Sequence, residues 1–156
     1  MKKNYFNFSN VNALVTGSSG NLGSEISMCL AEHGANVFLN GRNKKKISEL
    51  NQAITERGYK SQPAIFDVTN QTQVKKFFFK NRSIGIIINN AYEGKTGNFN
   101  TFSSLNYKKA FQSNILSTAN IINESKKSLI NSLKKNGFAS IINVSSIYGS
   151  LSPDPN

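Results

Sequence analysis

The stretch Ile84-Gly85-Ile86-Ile87-Ile88 constrains the fold more than any other part of the sequence. Its near-continuous run of β-branched residues leaves no face for water. Such a segment is expected to be a central strand of a parallel sheet, buried on both sides. Parallel strands need long crossover connections, and the rest of the chain supplies them. Val11 to Val15, Ala35 to Leu39, Ser61 to Phe66 and Phe138 to Val144 also read as strands, with Pro63 tolerable only near a sheet edge.

The intervening segments carry apolar residues at helical spacing. Asn21 to Glu32 places Leu22, Ile26, Leu30 and Ala31 in this way, and Gly34 stops it. Asn43 caps a helix reaching about Arg57 through Ile47, Leu50 and Ile54, with Gly58 beyond it. Thr69 or Asn70 starts a third through Val74, Phe77 and Phe78. A long helix with a break is expected from about Ser103 to Lys135, and a loop from Ser145 to Asn156. Five strands joined by four right-handed crossovers give an α/β fold, a doubly wound parallel (Rossmann) sheet of order 3-2-1-4-5. Such sheets bind ligands at the carboxyl ends of their strands, beside the switch point between strands 1 and 4.

Composition narrows the partners. The 156 residues carry a net charge of +11, but the lysines are scattered, and Lys44-Lys45-Lys46 is the longest run. No stacking aromatics are interleaved with them, and the abundance of Asn and Ile matches the coding bias of AT-rich genes, so nucleic acid is not an expected partner. The apolar stretch Val11 to Val15 is too short to span a membrane. Behind Met1-Lys2-Lys3, the residues Asn4, Asn7, Ser9, Asn10 and Asn12 leave no apolar segment of a signal peptide, so a cytoplasmic location is expected. Cys29 is the single cysteine, in the setting Ile26-Ser27-Met28-Cys29-Leu30, and is expected to be a buried, inert thiol. His33, beside Gly34, fits a helix C-terminus, and one His with one Cys argues against a soft metal site.

Five polar clusters fall at the carboxyl ends of the expected strands. Thr16-Gly17-Ser18-Ser19-Gly20-Asn21-Leu22-Gly23 joins the first strand to the first helix. Glycines there let a pyrophosphate approach backbone amides at a helix N-terminus; the plain alternative is a ligand-free βα turn. Asn40-Gly41-Arg42 ends the second strand, where NAD-binding folds place an acidic residue for the ribose 2′-OH. Here no carboxylate is available to repel a 2′-phosphate and Arg42 offers a bidentate clamp, with Ser18 and Lys44 to Lys46 nearby. This favours NADP over NAD, unless Arg42 is only a solvated charge. Asp67-Val68 follows the third strand, and Asp67 is either an acceptor for an adenine amino group, a turn residue, or both. Asn89-Asn90-Ala91-Tyr92 follows the fourth strand, where two buried amides must be used, to tie strands 4 and 5 or to line the cleft. Asn143-Val144-Ser145-Ser146-Ile147-Tyr148-Gly149 follows the fifth; with no partnering His, its serines do not suggest a Ser-His-Asp hydrolase.

In this order and rhythm the five clusters resemble the short-chain dehydrogenase/reductase family over the whole chain. The resemblance implies a single NAD(P)-binding Rossmann domain over 1–156, incomplete at its C-terminus. It implies that Gly17, Ser18, Ser19, Gly20, Asn21, Leu22 and Gly23 cradle the cofactor with Arg42. Asp67 and Val68 would hold the adenine end, and Asn89, Asn90 and Ala91 the cleft. Asn114 resembles the family's proton-relay Asn and Ser146 its catalytic Ser. The implied chemistry is hydride transfer between NADP and a small-molecule carbonyl or alcohol, and the implied assembly is a homo-oligomer pairing through the long helix around Asn114.

The departures matter as much. The spacing TGxxGxxG, with Asn21 in place of a middle glycine, is similar to the extended branch that includes sugar-nucleotide epimerases and dehydratases. Asn89-Asn90-Ala91 and Asn114 instead resemble the compact branch. Tyr92 and Ser146-Ile147-Tyr148-Gly149 are similar to reductases linked to bacterial surface-sugar and flagellin modification, suggesting a sugar derivative as substrate. The family's chemistry needs a Tyr followed four residues later by a Lys. Tyr5, Tyr59, Tyr92, Tyr107 and Tyr148 are followed at that distance by Ser9, Pro63, Thr96, Phe111 and Ser152. The chain is therefore expected to stop before the catalytic helix, to be inactive alone, and to leave its fifth strand a bare edge. A non-catalytic NADP-binding or regulatory module and a sugar-nucleotide epimerase or dehydratase of the extended branch are the rival readings.

Overall fold

The isoleucines after Gly85 divide between two cores. In a computed structural model that describes residues 6–94 and 103–146, Ile86 and Ile88 face one side of the sheet and Ile87 the other, all buried. They belong to β4 (Ile86–Asn89). The other strands are β1 (Asn12–Val15), β2 (Asn36–Gly41), β3 (Ser61–Ile65) and β5 (Ser140–Asn143). All pairings are parallel, and the order is β3-β2-β1-β4-β5. The doubly wound topology expected from the sequence is thus observed. Pro63 sits in the edge strand β3.

One face of the sheet is covered by α1 (Asn21–Glu32) and α2 (Lys44–Glu56), which pack Ala31, Ile47 and Ile54 against Ala13, Val15, Val37 and Leu39. The other is covered by α3 (Gln71–Lys80) and α5 (Ser117–Asn136), which pack Val74, Phe77, Phe78 and Ile121 against Leu14, Phe38 and Ile87. Asn43, Asn70 and Ser103 cap α2, α3 and α4 (Ser104–Phe111) with their side chains. Of the two candidate starts for the third helix, Asn70 is the cap.

The break in the long helix is a π turn, Gln112–Leu116, between α4 and α5. The Ser117 N–H reaches back five residues to the Gln112 carbonyl, so one extra residue is accommodated without a kink-forming proline. Beyond it, α5 turns Ser117, Ile121, Ser125, Ser128 and Ser132 inward. Ser128 ties α5 to the segment between α3 and β4. Its hydroxyl accepts from the Ile84 N–H at 2.8 Å and donates to the Asn81 carbonyl at 2.7 Å.

Two expectations need correction. β2 runs on to Gly41 because Asn40 and Gly41 continue the pairing with Ala64 and Ile65 of β3. Cys29 is exposed, not buried. The inward stripe of α1 is Gly23, Ser27 and Ala31, and Cys29 projects from the opposite side. Its carbonyl lies 2.8 Å from His33 Nδ1, so the imidazole does serve the helix C-terminus.

At the other end of the sheet, β5 pairs, among the described residues, with β4 alone. Ile142 is half exposed, and Ile141 and Val144 are exposed as well. An apolar parallel edge strand is a template for unwanted pairing. The 156-residue chain is therefore expected to self-associate, and Ile142→Lys to raise its soluble, monodisperse fraction in size-exclusion chromatography. In that background Ser128→Ala should cost roughly 1–3 kcal/mol in urea unfolding, because it strands the buried Ile84 N–H and the part-buried Asn81 carbonyl. Ser125→Ala should cost far less, since its hydroxyl only doubles onto the Ile122 carbonyl of its own helix.

Candidate functional site

The carboxyl ends of β1 and β4 are locked by Thr16, which is fully buried. Its hydroxyl donates to the Ile88 carbonyl at 3.2 Å and accepts from the N–H groups of Asn90 and Ala91, each at 2.9 Å. Asn90 returns the contact, its side-chain amide donating to the Thr16 carbonyl at 3.0 Å and leaning on that of Gly17 at 3.4 Å. The glycines follow from this close approach. Gly17 has φ +65°, and a Cβ there would lie 2.9 Å from Ala91 Cα; a Cβ on Gly23 would lie 2.3 Å from the Gly17 carbonyl oxygen. These two glycines let the loop fold onto itself and onto β4. At Gly20 the nearest atom to such a Cβ is 3.4 Å away, so the middle of the loop opens to the cleft.

The cleft holds about 510 Å³ and is lined by Gly17, Ser19, Gly20, Asn21, Leu22 and Gly23 on its floor. Asn40, Gly41, Arg42 and Lys46 form its wall at β2. Phe66, Asp67, Val68 and Thr69 close it at β3, and Asn90, Ala91, Tyr92 and Glu93 at β4. Asp67 is a turn residue as well as a lining one. Its Oδ1 accepts from the Thr69 N–H at 2.8 Å and hydroxyl at 2.7 Å. Asn89 does not line the cleft; it ties β4 to β5 by donating to Asn143 Oδ1 at 2.8 Å. Ser18 also stands apart. It is fully buried, its hydroxyl donates to the Val15 carbonyl at 2.6 Å and its N–H to the Asn40 carbonyl. The expectation that it joins Arg42 at a phosphate is corrected by that geometry.

The floor fits a dinucleotide pyrophosphate. It has no side chain over Gly20, and α1 starts there with no side-chain cap and no acidic residue in its first turn. Its first amides thus face the cleft without a competing protein anion. Gly41 occupies the position where an acidic residue would stand, under Ile47, whose Cδ1 would lie 2.9 Å from a Cβ there. The expectation that no carboxylate reaches this wall holds for β2 and fails for the cleft. Glu93 arrives from the β4 loop, and its Oε2 lies 3.3 Å from Arg42 Nη1. The sequence offered no signal for this, because the two residues are 51 positions apart. Thr16 was also missed as a structural key; a β-branched hydroxyl ending a buried strand was the available clue.

A second cavity, about 780 Å³, adjoins the first and shares Asn90, Ala91 and Tyr92 with it. Asn114 of the π turn and Ser146 after β5 both line it, with Asn89, Thr118, Asn143 and Ser145. Asn114 Oδ1 accepts from the Ser113 hydroxyl at 2.8 Å and the Glu93 N–H at 3.3 Å. The fold therefore brings Asn114 and Ser146 to one cavity beside the cleft. Ile147, Tyr148 and Gly149 lie outside the described residues.

The family model for short chain dehydrogenase matches residues 11–154. The chain belongs to the short-chain dehydrogenase family. Among curated members, gluconate 5-dehydrogenase of Gluconobacter oxydans is 41% identical over 69 residues, 44% of this chain and 27% of that protein. The 3-oxoacyl-[acyl-carrier-protein] reductase FabG of Chlamydia muridarum is 30% identical over 142 residues, 88% of this chain and 56% of that one. Among solved structures, a gluconate 5-dehydrogenase from Burkholderia cenocepacia in complex with NADP and tartrate superposes with a TM-score of 0.79 at 26% identity, covering 95% of this chain and 58% of that one. The RhlG/NADP active-site complex of Pseudomonas aeruginosa reaches a TM-score of 0.87 at 23% identity, over 96% and 60%. This short-chain dehydrogenase chain thus spans about half the length of the full-range curated relatives it matches. Among the described residues no group of three or more metal-binding side chains occurs, and no helix is long and apolar enough to cross a membrane.

The Thr16 lock can be tested directly. Thr16→Val should cost roughly 1–3 kcal/mol of unfolding free energy by orphaning two N–H groups. It should also weaken dinucleotide binding measured by calorimetry, whereas Thr16→Ser should restore both.

Proposed function

We propose that this chain is the cofactor-binding portion of an NADP-dependent oxidoreductase that reduces a carbonyl or oxidises an alcohol on a small molecule. The observation that carries the reading is the floor of Gly17, Gly20 and Gly23 at the uncapped start of α1, walled by Arg42, with Gly41 where NAD-binding sheets place an acid. The cofactor, when bound, supplies hydride chemistry at its nicotinamide. The chain's own residues bind and orient it. The α1 amides and the glycine floor take the pyrophosphate, Arg42 and Lys46 the 2′-phosphate, and Asp67 and Val68 the adenine. Ser146 holds the substrate oxygen, and Asn114 orders a proton path from the adjoining cavity. Asn90 and Ala91 form the partition between the two cavities. The match to gluconate 5-dehydrogenase supports a polyhydroxylated, sugar-derived substrate.

The sequence contains no Tyr followed four residues later by Lys. That absence favours a second reading for the chain by itself, a module that binds NADP without turning over. Homo-oligomer formation through the α4–α5 helix belongs to the whole protein in either reading.

Calorimetric titration of the chain should give NADPH a Kd roughly ten- to a hundredfold below that of NADH, the worth of a charge-assisted hydrogen-bonded clamp. Arg42→Ala should bring the two near parity. Oxidation of NADPH by carbonyl substrates should stay at background. Equal affinities in the wild-type chain would refute the NADP assignment, and turnover would refute the inactivity.

A further inference from the structure

With 19 cationic residues against 8 acidic ones, most cations have no anion to meet. The one ion pair between described residues is nevertheless inside the cofactor cleft, between Arg42 and Glu93. It reaches from the end of β2 to the loop after β4. Glu93 is held from behind. Its N–H donates to Asn114 Oδ1 at 3.3 Å, and its carbonyl lies 3.3 Å from the Ser113 hydroxyl, whose proton goes to the same Asn114 oxygen. The carboxylate is thus presented to Arg42 by a backbone pinned to the π turn. Both side chains are about half exposed, so the pair is weak enough to be exchanged.

We propose that Glu93 tunes the choice of cofactor by competing with the 2′-phosphate for Arg42. This rests on the reading of Arg42 as the 2′-phosphate residue. A ligand with that phosphate must first take the guanidinium from Glu93, and then lies near a carboxylate that repels it. A ligand with a free 2′-hydroxyl meets no such opposition, because it has no call on Arg42. Glu93 therefore narrows a preference that Arg42 creates.

The test is NADPH and NADH titration, followed by cofactor fluorescence and calorimetry, of the full 156-residue chain and of Glu93→Gln, Arg42→Ala and the double variant. A thermal melt of each shows that it is folded; both side chains are on the surface, so folding should be unaffected. Glu93→Gln should tighten NADPH roughly two- to fivefold, the range of an exposed ion pair. NADH should not change. The gain should vanish in the Arg42→Ala background and shrink as salt approaches ~1 M. If Arg42→Ala abolishes the preference but Glu93→Gln leaves NADPH unchanged, the competition is overturned and the role of Arg42 stands. If Arg42→Ala leaves the preference intact, both fall. Equal tightening of NADPH and NADH, or a gain that persists without Arg42, would mean that Glu93 acts on a shared part of the dinucleotide or by repulsion alone, and would overturn the proposal.

Discussion

The hydroxyl of Thr16 is the joint on which the binding end of the sheet depends. Parallel strands finish with carbonyls and amides pointing past the sheet, and a buried polar group there must find partners. Thr16 serves three such groups with one oxygen, and draws the loop after β4 onto the loop after β1. The positive φ of Gly17, the missing side chain at Gly23 and the placement of Asn90 all answer to the closeness that results. The cleft opens on the far side of this joint, so the packing that closes the loop also shapes the floor of the cleft.

Two cavities share that partition. One presents uncapped helix amides and cations, and suits phosphates. The other presents Asn114, Ser146 and an apolar wall of Ile115, Ala119 and Ile122. Separate regions of the chain supply them, with the glycine loop, β2 and β3 on one side and the π turn and the end of β5 on the other.

Most of the architecture was legible because its signals are local and repeat. The isoleucines of β4, the helical spacing in α1 to α3 and the Asn caps each state an element within a few residues. Position at a strand end also carried over, since Gly17, Gly20, Gly23, Arg42, Asp67, Asn90 and Ala91 all meet at the cleft. What escaped depended on facing and on distance in the chain. Ser18 sits in the glycine loop yet turns inward to Val15, and Cys29 sits among apolar neighbours yet turns outward. A run of letters does not state which way a side chain points unless its period is long enough to define a face. Glu93 meets Arg42 only because two loops converge, and no local pattern encodes that encounter.

The π turn at Gln112–Leu116 divides one long rod into two pieces with independent phases. An α-helix advances about 100° per residue, so a single extra residue turns everything beyond it by that angle relative to an unbroken helix. Upstream, α4 is anchored by its own cap at Ser103; downstream, the serine stripe of α5 is fixed against the sheet. Within the turn, Ser113 and Asn114 are directed to the Glu93 loop. The surplus residue thus works as a mechanical offset between a scaffold that must match the sheet and polar groups that must meet the Glu93 loop. Changes in the length of this segment would be read out as rotation of the helix before they were read out as loss of the helix.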